Sequence, residues 1–325
     1  MVPHLARFHQ AGSVDFGLVV DGGIVPFRER YATLPELIEA EGRDVLAAKL
    51  SDRRLGLDEV TLLAPTTLPC RVLCQGVNYR QHAIESGLDP DHRAFNLFFD
   101  KTDAAVTGPL DPVVRPGHVR LLDFEIELAL VIGKRIDAPV EVTDANLHEY
   151  VYGVVIANDL SARDVQLPQG QYLKGKSYRG FCPVGPYLAV LGADTVGLLD
   201  DLDLRLEVNG QVRQEDNTRN LVYRPAETLT ELSTFANLDP GDLLLTGTPH
   251  GVVAKAPHPI VHRLARALLP EDRLWSAFVR TNLSKPYLQP GDVVESTIRS
   301  RDGRIDLGRQ RNRITAPEPS PAGKA

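Results

Sequence analysis

Residues 123–132 have the sequence Asp-Phe-Glu-Ile-Glu-Leu-Ala-Leu-Val-Ile, an alternation that is typical of a β-strand. Successive side chains on a strand point to opposite faces, so Glu125 and Glu127 share one face, about 7 Å apart. The same face continues with Ala129 and Val131, which indicates that it is buried. Two buried carboxylates are costly unless a positive group lies between them.

From the pattern alone, this acidic pair has two interpretations. The glutamates can lie on a solvent-exposed edge strand, or they can hold a hard cation such as Mg²⁺, Mn²⁺ or Ca²⁺. Asp159 follows the apolar run of residues 154–157 and adds a third acid where a predicted strand meets a loop. It is either another ligand of the same cation or the cap of a turn that includes Ser161.

The composition of the whole chain excludes several classes of protein. The 325 residues include 43% hydrophobic residues and carry a net charge of −7, and the arginines of residues 299–313 are interleaved with acids and small residues. We therefore expect no nucleic-acid partner. No apolar run approaches the roughly 20 residues that span a bilayer, and no secretory signal is recognisable, so we expect no membrane segment. The three cysteines fit a reducing compartment and predict a cytoplasmic protein.

Residues 1–65 are predicted to form a small N-terminal α/β domain. Asp21 and Gly22 lie between two β-rich segments and predict a tight hairpin turn. Residues 34–40 predict a short helix with Thr33 as its N-cap and a proline in the first turn. Two further prolines then mark the junction with the rest of the chain.

Residues 66–313 are predicted to form a larger, mostly β domain. Residues 202–208 alternate and end at Asn209-Gly210, a strong hairpin signal. Helical patterns are short and fall at residues 78–86, 144–150 and 226–236.

A helical insertion is predicted at residues 253–286, which are rich in helix formers. Trp275, Phe278 and Val279 fit a helical stripe within it. After the larger domain, residues 314–325 are predicted to form a disordered tail, because their end is rich in proline and poor in core residues.

His82 is a candidate general base. If the chain is helical from residue 78, His82 and Glu85 are three residues apart on one face, and a carboxylate beside an imidazole fixes its tautomer and raises its basicity. The alternative is an ordinary surface contact. Gly247 to Gly251 form a turn that can present Thr248 and backbone N–H groups to an anion. The chain has neither a phosphate loop nor a Gly-x-Ser-x-Gly elbow.

Six segments in a fixed order resemble the fumarylacetoacetate hydrolase family: residues 76–85, 123–133, 158–166, 176–187, 209–217 and 240–251. The resemblance implies an α+β fold that is predominantly β, a mixed β-roll preceded by the small N-terminal domain. It also implies a homodimer that acts on a small-molecule keto acid with Mg²⁺ or Mn²⁺, with Ca²⁺ as an alternative occupant in crystals.

The resemblance also implies roles for individual residues. The metal ligands correspond to Glu125, Glu127 and Asp159, and the catalytic groups to His82, Glu85 and Lys176. Substrate oxygens are expected to contact Tyr79, Arg163, Gln166 and Thr248. Larger family members have a further metal-binding aspartate where this chain has Gln75, so we expect three protein carboxylates rather than four. The predicted insertion is longer than the link in most members, so the resemblance does not predict which residues form the outer wall of the substrate site.

The expected reaction is metal-dependent hydrolysis of a C–C bond in a 2,4-diketo acid such as an acylpyruvate or fumarylacetoacetate. In this hypothesis His82, oriented by Glu85, activates water, and Lys176 with Gln166 stabilises the oxyanion. The same site can instead decarboxylate oxaloacetate, tautomerise a 2-hydroxymuconate-like acid or dehydrate a sugar acid. A hypothesis of another class is a non-catalytic binding protein that retains the fold, which predicts loss of a metal acid or of His82.

Overall fold

The computed structural model describes residues 2–255 and 270–318, and its secondary structure is predominantly β. In this part of the chain the strands are β1 (His4–Gln10), β2 (Ser13–Val20), β3 (Gly23–Pro26), β4 (Leu55–Gly56), β5 (Thr61–Leu63), β6 (Val72–Gly76), β7 (Leu97–Lys101), β8 (Val106–Thr107), β9 (Val113–Val114), β10 (Leu122–Asp123), β11 (Ile126–Ile132), β12 (Val151–Asn158), β13 (Ser161–Ala162), β14 (Cys182–Pro183), β15 (Tyr187–Val190), β16 (Leu202–Val208), β17 (Gln211–Asn217), β18 (Leu243–Leu245), β19 (Val293–Ser300) and β20 (Asp306–Thr315). The helices are α1 (Leu34–Glu41), α2 (Arg80–Glu85), α3 (Leu147–Tyr150), α4 (Arg163–Gln169), α5 (Leu173–Lys176), α6 (Pro225–Ser233) and α7 (Glu271–Asn282). None of the helices in these two ranges combines the length and the apolar character that crossing a bilayer requires.

Two mixed sheets organise the chain. The larger has 11 strands in the order β4-β3-β2-β1-β15-β12-β11-β18-β6-β7, with β5 paired to β1, and the smaller has the order β17-β16-β19-β20-β9. Strand β11 contacts β16, and β12 contacts β19 and β20. The main apolar core lies between the two sheets, where residues such as Leu128, Leu204 and Ile298 are fully buried. This architecture agrees with the predicted fold class.

The N-terminal segment is continuous with the larger sheet. Strand β1 pairs antiparallel with β15, with Leu5 opposite Leu188, so hydrogen bonds cross the predicted boundary after residue 65. Within the segment the local predictions are confirmed. The hairpin of β2 and β3 turns at Asp21-Gly22, and the Thr33 side chain accepts a hydrogen bond from the backbone N–H of Glu36.

Strands β11 and β12 are antiparallel and run through the centre of the larger sheet. Their register places Ile126 opposite Asn158, and the backbone N–H of Asp159 donates to the carbonyl of Glu125 at 2.8 Å. The pairing therefore brings the predicted third acid beside the first, although 34 positions separate them in the sequence.

Both faces of β11 are buried, as the alternation indicates. Its isoleucine and leucine face packs in the inter-sheet core, and Ala129 and Val131 pack in a second core under the N-terminal segment. The interpretation that Glu125 and Glu127 lie on a solvent-exposed edge strand is wrong, because other strands pair with β11 on both of its sides.

The acidic strand is interrupted once, which the alternation did not predict. Residues 124 and 125 belong to neither β10 nor β11. There the backbone N–H of Glu125 donates to the side-chain oxygen of Asn158, and that of Ile126 donates to the side-chain oxygen of Gln214, both at 3.0 Å. At this point side-chain oxygens, rather than the carbonyls of a neighbouring strand, accept the backbone N–H groups. The carboxylate of Glu125 is directed towards the candidate site described below.

The C-terminal third partly follows the sequence predictions. The Asn209-Gly210 hairpin joins β16 to β17. Strand β20 extends to Thr315, two residues beyond the predicted end of the larger domain, because Ile314 is buried and pairs with Val113. Of the predicted insertion, α7 is helical, whereas residues 256–269 lie outside the described residues, as do residues 319–325 of the predicted tail.

Candidate metal and substrate site

Three buried acids converge at the carboxyl end of β12. Glu125 directly precedes β11, Glu127 lies at its start, and Asp159 follows β12 directly. One carboxylate oxygen from each residue lies within 4.8 Å of the other two. Their exposed fractions are 6%, 1% and 0%, so the cluster is shielded from water. A buried set of carboxylate oxygens is the donor set that Mg²⁺ and Mn²⁺ prefer.

Lys176, the last residue of α5, reaches into this cluster. Its Nζ donates to Oε2 of Glu125 at 2.6 Å and to Oδ2 of Asp159 at 2.5 Å. Burial alone lowers the pKa of a lysine, but the charges of Asp159 and Glu125 raise the pKa of Lys176 above its ordinary value. The side chain is therefore an ammonium that links two of the three candidate metal ligands.

Arg163, at the start of α4, neutralises the other side of Glu125. Its guanidinium donates to Oε1 of Glu125 at 2.5 Å, to Oδ2 of Asp123 at 2.9 Å and to Oε1 of Gln166 at 2.9 Å. Burial raises the pKa of Glu125, but Lys176 and Arg163 outweigh it and bring that pKa to about 2. Glu125 is therefore ionised.

Glu127 has a different environment. Its Oε2 accepts the backbone N–H of Gly247 at 2.7 Å, and no lysine or arginine forms an ion pair with it in the described part of the chain. Burial and the charges of Asp159 and Glu125 raise the pKa of Glu127 well above its ordinary value. This carboxylate lacks a cationic partner, and a divalent ion held by the three acids would supply one. The residues present therefore fit a metal site.

Thr248 follows Gly247 in the turn that faces Glu127. Its hydroxyl donates to the carbonyl of Ile126 at 3.0 Å and accepts from Nε2 of Gln214 at 2.8 Å. Thr248 also lines the large cavity at the site. The two hydrogen bonds hold the turn against the start of β11 and keep the Gly247 N–H directed at Glu127.

His82 lies in α2, as predicted, and lines the same cavity. Burial lowers its pKa, and this effect outweighs the opposite influence of Glu125, so the imidazole is neutral near pH 7. Its Nδ1 is buried, and within residues 2–255 and 270–318 no atom hydrogen-bonds to it. The predicted partner Glu85 is half-buried and neither hydrogen-bonds to His82 nor lines the cavity.

Tyr79, a predicted substrate contact, does not face the cavity, whereas Gln75 agrees with the expectation of three acids. Tyr79 is fully buried in the inter-sheet core and is not among the described residues that line the cavity. Gln75 stands where larger family members have a fourth acid. Its Nε2 donates to Asn96 and Thr228, so this amide belongs to a neutral network, and the acid cluster has three members as expected.

The cavity has a volume of about 1000 Å³. We call the inner end of the cavity the part of its lining that is formed by buried polar residues, together with the half-buried His82; the buried residues are Glu125, Glu127, Arg163, Gln166, Lys176 and Thr248. The structure thus brings together most of the predicted catalytic, substrate-binding and metal-binding residues. A neutral base, buried cations and a candidate metal site at one end of a cavity suit acid–base chemistry on an anionic substrate.

Three important residues were missed by the sequence analysis. The Nζ of Lys101 donates to Oδ1 of Asp159 at 2.5 Å and to the carbonyl of Phe181 at 2.9 Å. Asp123 accepts from Arg163 and from three backbone N–H groups, and Gln214 holds the Thr248 turn. Asp123 lies two residues before Glu125, so the alternation places both on the same face and could have identified Asp123. Lys101 and Gln214 lie on strands whose sequences show no distinguishing pattern.

Known proteins match this chain over most of its length. Residues 71–315 match the model of the family described as fumarylacetoacetate (FAA) hydrolase, C-terminal. The mitochondrial oxaloacetate tautomerase FAHD2A of Bos taurus is 38% identical over 261 residues, which cover 77% of this chain and 79% of the relative. The structure of fumarylacetoacetate hydrolase from Exiguobacterium antarcticum matches with a TM-score of 0.72 at 30% identity, covering 97% of this chain and all of that one. The structure of 2-hydroxyhepta-2,4-diene-1,7-dioate isomerase from Mycobacterium marinum matches with a TM-score of 0.70 at 27% identity, covering 98% and 100% of the two chains.

Proposed function

Because the chain belongs to the fumarylacetoacetate hydrolase family, we propose that it is an enzyme that interconverts the keto and enol forms of a 2-keto acid. Such an isomerisation needs one base beside the substrate and a way to stabilise charge on the 2-oxygen. The observation that carries the proposal is the state of His82, which faces the cavity as a neutral base without a hydrogen bond to Glu85. Proton transfer from carbon needs this base and a stabilised oxygen, whereas hydrolysis needs in addition a water molecule held beside the base.

Glu125, Glu127 and Asp159 are proposed to hold one divalent ion. The all-oxygen donor set and the missing cationic partner of Glu127 support Mg²⁺ or Mn²⁺. When bound, the ion supplies Lewis acidity towards the 2-keto oxygen and the carboxylate of the substrate.

The protein residues then divide the proton transfer between them. His82 removes the proton from C3, the C3–H electron pair becomes the C2–C3 double bond, and the C2–O2 π pair moves onto O2. The protonated His82 then returns the proton to O2, so that the product is an isomer of the substrate and the base is regenerated. The ammonium of Lys176 lies at the inner end of the cavity and stabilises negative charge on O2. Gln166, oriented by Arg163 at 2.9 Å, is placed to hold the substrate carboxylate.

The names of two relatives support isomerisation over hydrolysis. The bovine relative is called an oxaloacetate tautomerase and the mycobacterial structure an isomerase. Hydrolysis of a 2,4-diketo acid, which the sequence favoured, is the second candidate. Glu85 supports it, because this acid lies on α2 with His82 and acts to raise the pKa of His82, although burial lowers that pKa more.

The test is proton exchange at C3 in D₂O, followed by NMR with Mg²⁺ or Mn²⁺ present. Oxaloacetate, phenylpyruvate and an acylpyruvate are the substrates, and product analysis runs in parallel. We expect metal-dependent exchange without C–C cleavage products, and we expect His82→Gln to remove it while the exposed His9→Gln does not. Pyruvate and a free carboxylic acid from the acylpyruvate would establish hydrolysis instead, and pyruvate with CO₂ from oxaloacetate would establish decarboxylation.

A further inference from the structure

The lining of the cavity has two chemically different parts. The inner end holds Glu125, Glu127, His82 and the buried cations. The rest of the lining includes a set of apolar and aromatic residues, namely Leu97, Phe99, Tyr172, Leu274, Trp275 and Phe278. The reaction proposed above uses the inner end alone, so the apolar part has no role in binding a 2-keto acid group.

The apolar lining starts directly beside the catalytic groups. The Nζ of Lys176 lies 5.3 Å from the ring centroid of Phe99. The Phe99 ring meets that of Tyr172 edge-on, with 5.1 Å between centroids. A substrate whose 2-keto acid group lies at Lys176 therefore directs its remaining atoms along aromatic surface.

Helix α7 supplies another part of the apolar lining. Leu274, Ala277, Phe278 and Thr281 line the cavity from this helix, and their i, i+3, i+4, i+7 spacing places them on a common side. Arg273 and Ser276 are exposed, and Val279 is buried in the inter-sheet core. The core contact anchors the helix and leaves the apolar side half-exposed towards the cavity.

We infer that the substrate is a 2-keto acid with an aryl or branched alkyl substituent at the end remote from its carboxylate, an inference that rests on the proposed function. Ligand cavities hold roughly 300 to 1000 Å³, and this one lies at the upper limit. A compact dicarboxylate would leave the wall of α7 covered by water. An apolar substituent would remove that wall from water, which is favourable in proportion to the area covered.

The basic residues His92, Arg93 and Lys255 also line the cavity, at exposed or half-buried positions. Arg93 donates to the carbonyl of Val77 at 2.6 Å, and His92 hydrogen-bonds to Asp89 at 2.9 Å. Lys255 is exposed to solvent, where an ion pair contributes little. The described lining therefore favours an apolar group over a second carboxylate.

The first experiment compares substrates on the unaltered enzyme with Mg²⁺. Metal-dependent exchange at C3 is measured for 2-oxobutanoate, 4-methyl-2-oxopentanoate, phenylpyruvate and oxaloacetate. We expect kcat/KM for phenylpyruvate to exceed that for 2-oxobutanoate and for oxaloacetate by about tenfold or more. Equal values, or a preference for oxaloacetate, would overturn the inference and leave the proposed function standing. Absence of exchange with every acid would instead reject the proposed function.

The second experiment uses variants of the wall. Phe278→Ala and Leu274→Ala are each expected to lower the ratio of kcat/KM for phenylpyruvate to that for 2-oxobutanoate, by about fivefold for the phenylalanine. Leu283→Ala is the matched control, because Leu283 caps the same helix, is 48% exposed and is not part of the described lining. The ratio does not depend on the fraction of folded enzyme. An unchanged ratio in both wall variants would show that α7 does not contact the substrate.

Discussion

The ammonium nitrogen of Lys176 lies 2.5 Å from Oδ2 of Asp159. Its second contact, with Glu125, is equally short at 2.6 Å, so the lysine lies between two carboxylates assigned to the metal. A cation already stabilises part of the acid cluster, and a divalent ion has to share these oxygens with it. We therefore propose that the same ammonium acts both on metal affinity and on the substrate.

Lys176→Met separates these two effects. Removal of the competing ammonium is expected to tighten Mg²⁺ binding about tenfold, or about 1.4 kcal/mol. Loss of charge stabilisation at the substrate oxygen is expected to lower kcat at least a hundredfold, by analogy with the removal of one oxyanion donor. Calorimetric titration and C3 exchange measure the two quantities. Weaker metal binding together with unchanged kcat would contradict both assignments.

Glu127→Gln tests the metal site itself. The amide retains an oxygen for the Gly247 N–H but offers the ion a neutral ligand, so Mg²⁺ affinity is expected to fall by about 10- to 100-fold. Glu207→Gln is the matched control, since that acid pairs with Arg205 at 2.8 Å in the smaller sheet. Titration with Mg²⁺ measures the affinity of each variant. An affinity equal to that of the control would place the metal elsewhere.

Lys101 positions Asp159 from outside the cavity. Both side chains are fully buried, and Lys101→Met removes one of the two ammonium groups that neutralise this aspartate. The free energy of unfolding without metal is expected to fall by about 2 kcal/mol, and Mg²⁺ is expected to raise the melting temperature more than in the unaltered protein. Lys134→Met is the control, because its pair with Glu149 is about half exposed. Equal melting temperatures for the two variants would argue against the positioning role.

Gly247→Ala tests whether the turn that faces Glu127 contributes to Mg²⁺ binding. The φ of Gly247 is +92°, and an added Cβ would lie 2.8 Å from Cβ of Asn78, so Gly247→Ala is expected to displace the turn and weaken Mg²⁺ binding. Gly210→Ala controls for backbone strain, since Gly210 has φ of +77° and nothing within 4 Å of the added Cβ. Both variants are expected to lose about 1 kcal/mol from the left-handed backbone. Only Gly247→Ala should also lose metal affinity and activity.

The pH dependence of kcat/KM is expected to follow the protonation of His82. Burial lowers its pKa below the ordinary 6.5, so the imidazole is neutral at pH 7 and becomes protonated only in more acidic solution. A base has to be unprotonated, and kcat/KM is therefore expected to fall with acid through a pKa below 6.5 and to be flat from there to pH 8. The residual rate of His82→Gln should lack this acid limb. A limb above pH 7, or one that persists in the variant, would assign the base elsewhere.

Local sequence patterns predicted much of the scaffold and part of the site. The hairpins at Asp21-Gly22 and Asn209-Gly210 and the Thr33 cap depend on neighbouring residues only, and they are present as expected. The helix with His82 was also predicted, but the hydrogen bond to Glu85 was not found. Helical spacing determines that two residues share a face and does not determine how their side chains turn.

By itself, the sequence predicted that Glu125 and Glu127 lie close together on a buried β segment, because alternation is a property of the chain. The resemblance to the family identified Gln75 as the residue that stands in place of a fourth acid. The tertiary structure decided that Asp159 completes the cluster, that Lys101 and Lys176 neutralise it, and that α7 forms an apolar wall over the cavity. These relationships join residues far apart in the chain. They depend on the β11–β12 register and on the packing of α7, and neither leaves a periodic signal in the sequence.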